Sequence, residues 1–119
     1  MDILVVDDSK AMRMIVKRTL KQAGYGVATI REAANGSEAL EAVTAQPPDL
    51  ILCDWNMPEM SGIEFLTALR ESGSTARFGF VTSEGTADMR AVAHRAGAEF
   101  LIAKPFTVEE FALAIGQTA

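Results

Sequence analysis

Residues 50 to 62 read Leu-Ile-Leu-Cys-Asp-Trp-Asn-Met-Pro-Glu-Met-Ser-Gly. Four apolar residues in a row, Leu50 to Cys53, suit a strand covered on both faces of a parallel sheet, because a strand with one wet face would alternate. The run ends on a carboxylate, Asp54, a group that is costly to bury without a partner. A loop through Pro58 follows, and Ser61-Gly62-Ile63-Glu64 has the spacing of a capping box, in which hydroxyl and carboxylate satisfy each other's terminal amides at a helix start. Buried strand, polar strand end and helix start are the parts of one α/β unit.

The same pattern recurs along the chain. Ile3-Leu4-Val5-Val6 and Phe100-Leu101-Ile102-Ala103 are continuously apolar and read as two more covered strands. Thr29 to Ala33 and Phe78 to Thr82 complete a set of five; in the latter, Gly79 stands between two phenylalanines and makes room for bulk on one face. Helical spacing fills the gaps. Met12, Ile15, Val16, Leu20 and Ala23 fall on one face, and Gly24 follows where a left-handed C-cap belongs. Asn35-Gly36 opens a second helix carrying Ala39, Leu40 and Val43, stopped by Pro47-Pro48, and Ser61 opens a third. Thr86 opens a fourth with Met89, Val92, Ala93 and Ala96, closed by Gly97, and Thr107-Val108-Glu109-Glu110 is a second capping box that opens a fifth.

Five strand-helix repeats with short connections predict a doubly wound α/β fold: a five-stranded parallel sheet with five helices on its two faces. A closed barrel needs about 250 residues, so the sheet is open, and the flavodoxin-like order 2-1-3-4-5 is the expected one. At 119 residues the chain fits one domain, 1–119, with no output domain expected. The composition, 49% hydrophobic and 23% charged, is globular, and no apolar stretch approaches the ~20 residues of a membrane span. No secretory leader is visible and the single cysteine, Cys53, has no pairing partner, so the expected compartment is the cytoplasm. A net charge of −5 argues against nucleic acid as a partner, since that binding neutralises phosphates with Lys and Arg.

In open α/β sheets ligands gather outside the C-terminal strand ends, and chemistry stands there in this sequence. Asp7 and Asp8 follow strand 1, Asp54 follows strand 3, Thr82 and Ser83 close strand 4, and Lys104-Pro105 follows strand 5. In the order 2-1-3-4-5, strands 1 and 3 lie about 4.8 Å apart, so Asp7, Asp8 and Asp54 converge. Three close carboxylates repel unless cations are supplied. Lys104 offers one compact positive charge. A hard divalent ion on oxygen ligands is the natural second, Mg²⁺ typically taking one or two carboxylates and completing its octahedron with waters and phosphate oxygens.

Asp7-Asp8, Asp54, Asn56-Met57-Pro58, Gly62, Thr82 and Lys104-Pro105, in that order and on those strand ends, make the chain similar to the receiver domain of bacterial two-component response regulators, over its whole length. Asp-Trp-Asn-Met-Pro, the Met12-Arg13 pair and Lys104-Pro105-Phe106-Thr107 resemble the single-domain chemotaxis members of that family in particular. The resemblance implies that Asp54 is a phosphoacceptor, a carboxylate nucleophile charged from a phosphohistidine on a sensor histidine kinase. It implies Mg²⁺ held by Asp8 and Asp54, by the backbone carbonyl of Asn56 and by Asp7 through water, with Lys104 completing the neutralisation that phosphoryl transfer requires. Thr82 resembles the switch hydroxyl, and Asn56 and Glu84 hold positions that tune phosphoryl lifetime. The resemblance also implies a flagellar motor switch protein as target and a phosphatase as a further partner, the domain's own catalysis being confined to phosphorylation and dephosphorylation of its aspartate.

One family feature is missing. The switch aromatic stands three residues before the lysine, and here that place holds Leu101, while Phe100 is one position off and faces the other side of a strand. Leu101, Met89 and Phe106 are the candidates for the output role. Other readings stay open beside these. Asp7-Asp8 taken alone suits an N-cap and turn for helix 1, Cys53 a small core residue, His94 a solvated helix side chain among arginines, and Met12, Met14 and Met89 core and helix surface. Within the switch class, a phosphorelay receiver is the rival of a motor regulator. From another class comes a magnesium-dependent aspartyl-phosphate phosphatase, although residues 7 to 9 read Asp-Asp-Ser where that chemistry uses Asp-x-Asp. An FMN-binding flavodoxin fits less well, because the first loop offers acids where a phosphate needs amides and hydroxyls.

Overall fold

The computed structural model describes residues 1–117. Among them five strands and five helices alternate: β1 (Asp2–Val6), α1 (Lys10–Leu20), β2 (Thr29–Ala33), α2 (Gly36–Ala45), β3 (Leu50–Cys53), α3 (Gly62–Glu71), β4 (Arg77–Thr82), α4 (Ala87–Ala96), β5 (Phe100–Ala103) and α5 (Val108–Gln117). All four strand pairings are parallel, in the order β2-β1-β3-β4-β5. This is the expected doubly wound sheet, and it brings every C-terminal strand end to one edge of the molecule.

The continuous apolar runs are explained by what lies on either side. Alternate residues of each strand enter two separate cores. One gathers Leu4, Val6, Ile51, Cys53, Phe78, Phe80 and Leu101 under α2, α3 and α4, with Phe65, Leu66 and Leu69 from α3. The other gathers Ile3, Val5, Leu50, Leu52, Val81 and Ile102 under α1 and α5, with Val16, Leu20, Phe111 and Ile115. Phe100 and Leu101 therefore point into different cores, as their adjacency on a strand requires.

The starts of α2 to α5 follow the sequence signals, while α1 is capped by Ser9 rather than by the Asp7-Asp8 pair. Ser9, Asn35, Ser61 and Thr86 are the N-caps of α1 to α4, each side chain accepting the amide three residues on, and Ser61 and Glu64 form the reciprocal capping box. Thr107 and Glu110 exchange the same pair of bonds at α5. The inward stripe of α1 differs from expectation. Val16 and Leu20 are buried and Met12 half-buried, but Ile15 is exposed, and Thr19 takes a buried place instead, donating its hydroxyl to the Ile15 carbonyl at 2.8 Å. A threonine can do this because the bond back along the helix satisfies its only buried polar group. Beyond Leu20 the helix widens into a π-type turn, Lys21–Tyr25, and Gly24 there adopts the left-handed conformation, with φ 107°. The surface of α1 is also distinct: residues 9 to 31 contain no carboxylate, while Lys10, Arg13, Lys17, Arg18 and Lys21 follow one another.

Gly79 has the expected packing reason. A Cβ at this position would run into the ring of Phe100 on the neighbouring strand, which lies over the glycine. Gly79→Ala is expected to cost about 2 kcal/mol, the typical penalty for overpacking a filled site. In urea unfolding, the Gly79→Ala/Phe100→Leu double variant is expected to lose at least 1 kcal/mol less than the sum of its two singles, as for residues in contact.

Candidate functional site

The site is assembled from three strand ends and the loops that leave them. Asp7 is buried just past β1, Asp8 is exposed beside it, and Asp54 is largely covered just past β3. One carboxylate oxygen from each lies within 4.8 Å of the others, a set of hard donors that could hold a metal ion. Lys104, just past β5 and joined to Pro105 by a cis peptide, spans the group: its Nζ lies 3.4 Å from Asp7 Oδ2 and 3.6 Å from Asp54 Oδ2. The convergence of Asp7, Asp8 and Asp54 anticipated from strand order is therefore present, and Lys104 supplies its charge among them.

The carboxylates are also fixed by backbone. Asp54 Oδ1 accepts the Trp55 amide at 2.8 Å, and Asp7 Oδ1 accepts the Ser9 amide at 2.9 Å. The cap of α1 is thus Ser9, with Asp7 shaping the turn before it and Asp8 left free for other work. Trp55 tilts against Phe80 with ring centroids 4.7 Å apart, so the residue whose amide holds Asp54 is itself packed on the sheet. Gly62 permits the return of the chain: its amide donates to the Trp55 carbonyl at 2.7 Å, and a Cβ would strike the Asp54 carbonyl and sit 2.7 Å from the Phe80 ring. No larger residue allows α3 to start this close to β3.

Burial pushes the Asp54 carboxyl above the ordinary aspartate range; the charge of Lys104 opposes this, that of Asp7 adds to it, the Trp55 amide opposes it and Asp8 adds again. Burial first, then Asp54 and Asp7, drive the Cys53 thiol well above its usual range, so it stays protonated; its Sγ donates to the Asp54 carbonyl at 3.1 Å, a core role.

Thr82 closes β4, and its carbonyl accepts the Lys104 amide at 2.7 Å. Its side chain is fully buried and, among the described residues, its Oγ1 has no hydrogen-bond partner, a deficit that typically costs about 1–3 kcal/mol. Asn56 and Glu84 are exposed in the loops after β3 and β4. The three output candidates do not share a surface. Leu101 is buried and Met89 half-buried in the α2–α4 core, whereas Phe106 stacks on Phe111 at 4.6 Å in the other. His94 is exposed on α4. Two contributors carried no assigned role from the sequence. Arg13 donates to the Asp7 carbonyl at 2.6 Å while pairing with Glu32, and Arg90 reaches from α4 to β5. Their contacts run to backbone carbonyls, which no residue pattern advertises.

A family model for the response regulator receiver domain matches residues 3–116. The chain belongs to the response regulator receiver family. This receiver is 38% identical to the chemotaxis protein CheY of Bacillus subtilis over 98% of its own length and 95% of the relative's. It is 37% identical to a probable chemotaxis protein CheY of Rhizobium etli, covering 95% and 88%. It is also 36% identical to the sporulation initiation phosphotransferase F of B. subtilis, covering 91% and 85%. Among solved structures, CheY4 of Vibrio cholerae superposes with a TM-score of 0.87 at 31% identity, covering 99% and 98%. Receivers are phosphorylation-switched regulators rather than turnover enzymes, which sets aside the phosphatase reading. No helix among the described residues is long and apolar enough to cross a membrane.

The raised Asp54 value has a stability consequence. A carboxyl raised in the folded state penalises folding above that raised value, and the penalty is absent below the unfolded value. Asp54→Asn is therefore expected to raise Tm at pH 7 in divalent-free buffer. The gain is expected to vanish as the pH falls below about 3.5, where aspartate is protonated in both states. Thermal unfolding followed by circular dichroism across this range checks it.

Proposed function

We propose that this receiver accepts a phosphoryl group on Asp54 from the phosphohistidine of a sensor histidine kinase, and that the charged form changes its binding to a partner. A carboxylate oxygen of Asp54 attacks phosphorus, the bond to the histidine nitrogen breaks, and the released imidazole keeps its electron pair and takes up a proton. The observation that carries this reading is the lysine-bridged triad: three carboxylates on adjacent strand ends, spanned by one Lys104 Nζ. That surplus of negative charge makes a cation the fitting cofactor. Asp8, Asp54 and the Asn56 carbonyl would hold Mg²⁺, with Asp7 acting through water. When bound, Mg²⁺ neutralises the carboxylates and the incoming phosphoryl oxygens.

The chain's own groups do the rest. Lys104 supplies a fixed positive charge where the phosphoryl oxygens arrive, and the Trp55 amide orients the Asp54 carboxylate. The unpartnered Thr82 hydroxyl is a donor awaiting an acceptor, and a phosphoryl oxygen on Asp54 provides one. Asn56 and Glu84 flank the entry and set how readily water reaches the acyl phosphate. Signalling follows as a population shift, because the phosphorylated site favours the arrangement in which Thr82 is satisfied. On likeness to the chemotaxis proteins of B. subtilis and R. etli, we assign chemotaxis in the cytoplasm, with a flagellar motor switch protein as target and a phosphatase to reset it. A relay role is the second reading, favoured by the comparable 36% identity to a sporulation phosphotransferase.

Trp55 fluorescence tests the chemistry. Mg²⁺ is expected to change it, and acetyl phosphate to change it further in the wild type but not in Asp54→Asn; intact mass is expected to show one added phosphoryl group in the wild type alone. Lys104→Met is expected to slow the acetyl phosphate step by about 100-fold, in line with loss of one preorganised charge at a transition state. An unmodified Asp54 under both assays overturns the reading.

A further inference from the structure

Leu101 leaves this receiver without the family's aromatic at the place where β5 meets the loop after β4, and the structure shows what occupies that junction instead. Arg90, on the second turn of α4, donates from Nη1 to the Leu101 carbonyl at 2.8 Å and from Nε to the Gly85 carbonyl at 3.3 Å. One guanidinium thus ties three segments: α4, β5 and the β4–α4 loop. Gly85 is confined beneath it. A Cβ there would sit 3.1 Å from Arg90 Nη2 and 3.0 Å from the Ala103 Cβ, so the loop lies tight against β5 with the arginine as its cover.

Gly85 is three residues from Thr82, whose buried hydroxyl lacks a partner. Satisfying that hydroxyl at Asp54 draws the end of β4 toward the acidic site and takes Ser83 to Gly85 with it. The Gly85 carbonyl is the one Arg90 holds. Resting on the reading of Asp54 as phosphoacceptor, we propose that Arg90 is a positioning residue that latches the β4–α4 loop to β5 in the unphosphorylated state, and that the latch opens when Asp54 is phosphorylated. Arg90 also borders the two hollows on either side of β5, about 300 Å³ and 280 Å³, so its release alters the surface between α4 and α5. In this chain the coupling from the acidic site to that surface runs through a hydrogen-bonded arginine rather than through a swinging ring.

A latch specific to the resting state opposes activation, and a ligand of the active state must work against it. Beryllofluoride, a phosphoryl mimic, is titrated with Mg²⁺ against wild type, Arg90→Met and Arg90→Lys, read by Trp55 fluorescence, with Mg²⁺ titrated alone as a control. Arg90→Met, which keeps the apolar stem and loses the donors, is expected to bind beryllofluoride about fivefold more tightly with unchanged Mg²⁺ affinity, a shift of the size that net loss of one solvent-accessible hydrogen bond gives. Arg90→Lys, which retains one donor group, is expected to fall between. Equal or weaker beryllofluoride binding by Arg90→Met with intact Mg²⁺ binding overturns the latch while leaving the Asp54 reading standing. Failure of the wild type to bind beryllofluoride overturns the Asp54 reading and the latch with it. Nitrogen NMR of the wild type gives an arm that needs no variant to fold: the Arg90 Nε–H is expected to be protected from exchange in the free protein and to lose that protection with beryllofluoride. Retained protection counts against the latch.

Discussion

Everything distinctive about this domain depends on holding like charges together at one edge of a parallel sheet. Because all five strands run the same way, their C-terminal ends coincide, and because β1 and β3 are neighbours, Asp7, Asp8 and Asp54 cannot avoid one another. The repulsion is offset by Lys104, which reaches Asp7 and Asp54 from β5 although β4 lies between. The backbone contributes as well: the Trp55 and Ser9 amides each take one carboxylate oxygen, so the charges are fixed in orientation as well as position. The result is a site held short of neutrality, a cluster of hard oxygen donors that could hold a cation.

Much of this arrangement is legible in the residue order. Strand alternation into two cores explains the apolar runs of β1, β3 and β5, and Asn35, Ser61, Thr86 and Thr107 mark the starts of α2 to α5, whereas the cap of α1 is Ser9 and not the Asp7-Asp8 pair. The carboxylates and the lysine were identifiable because strand ends are set by where apolar runs stop, and strand order then dictates their convergence. Ile15 was misplaced because helical spacing admits a wider stripe than α1 buries, and because a threonine can enter a core once its hydroxyl bonds back along the helix. The roles of Arg13 and Arg90 were invisible for a different reason. Apart from the Glu32 carboxylate that pairs with Arg13, their acceptors are main-chain carbonyls, which every residue possesses, so only the folded chain shows which carbonyl lies within reach.

Thr82 illustrates how a local deficiency can be useful. A buried hydroxyl without a partner among the described residues weakens the resting fold, and on the proposed function the same deficiency would make the resting arrangement responsive to an acceptor that arrives from outside. Gly62 and Gly79 show the opposite tendency. Each is a place where the structure has no spare room, one keeping α3 against the end of β3 and the other keeping Phe100 against β4. The region is thus rigid where residues must be positioned and unsatisfied where movement is wanted.

The division of the interior into two cores has an evolutionary consequence. Trp55, Phe80, Met89 and Leu101 belong to the core under α2, α3 and α4, whereas Val16, Leu20, Phe111 and Ile115 belong to the one under α1 and α5. The sheet separates them, and substitutions that share no partners combine nearly additively. Core positions such as Val16, Leu20, Phe111 and Ile115 can therefore accumulate changes that adjust overall stability with little effect on the groups around the acidic edge, unlike Arg13 on the same helix as Val16, which bonds the Asp7 carbonyl. A lineage can lose and regain margin on one side while new signalling behaviour is tried on the other.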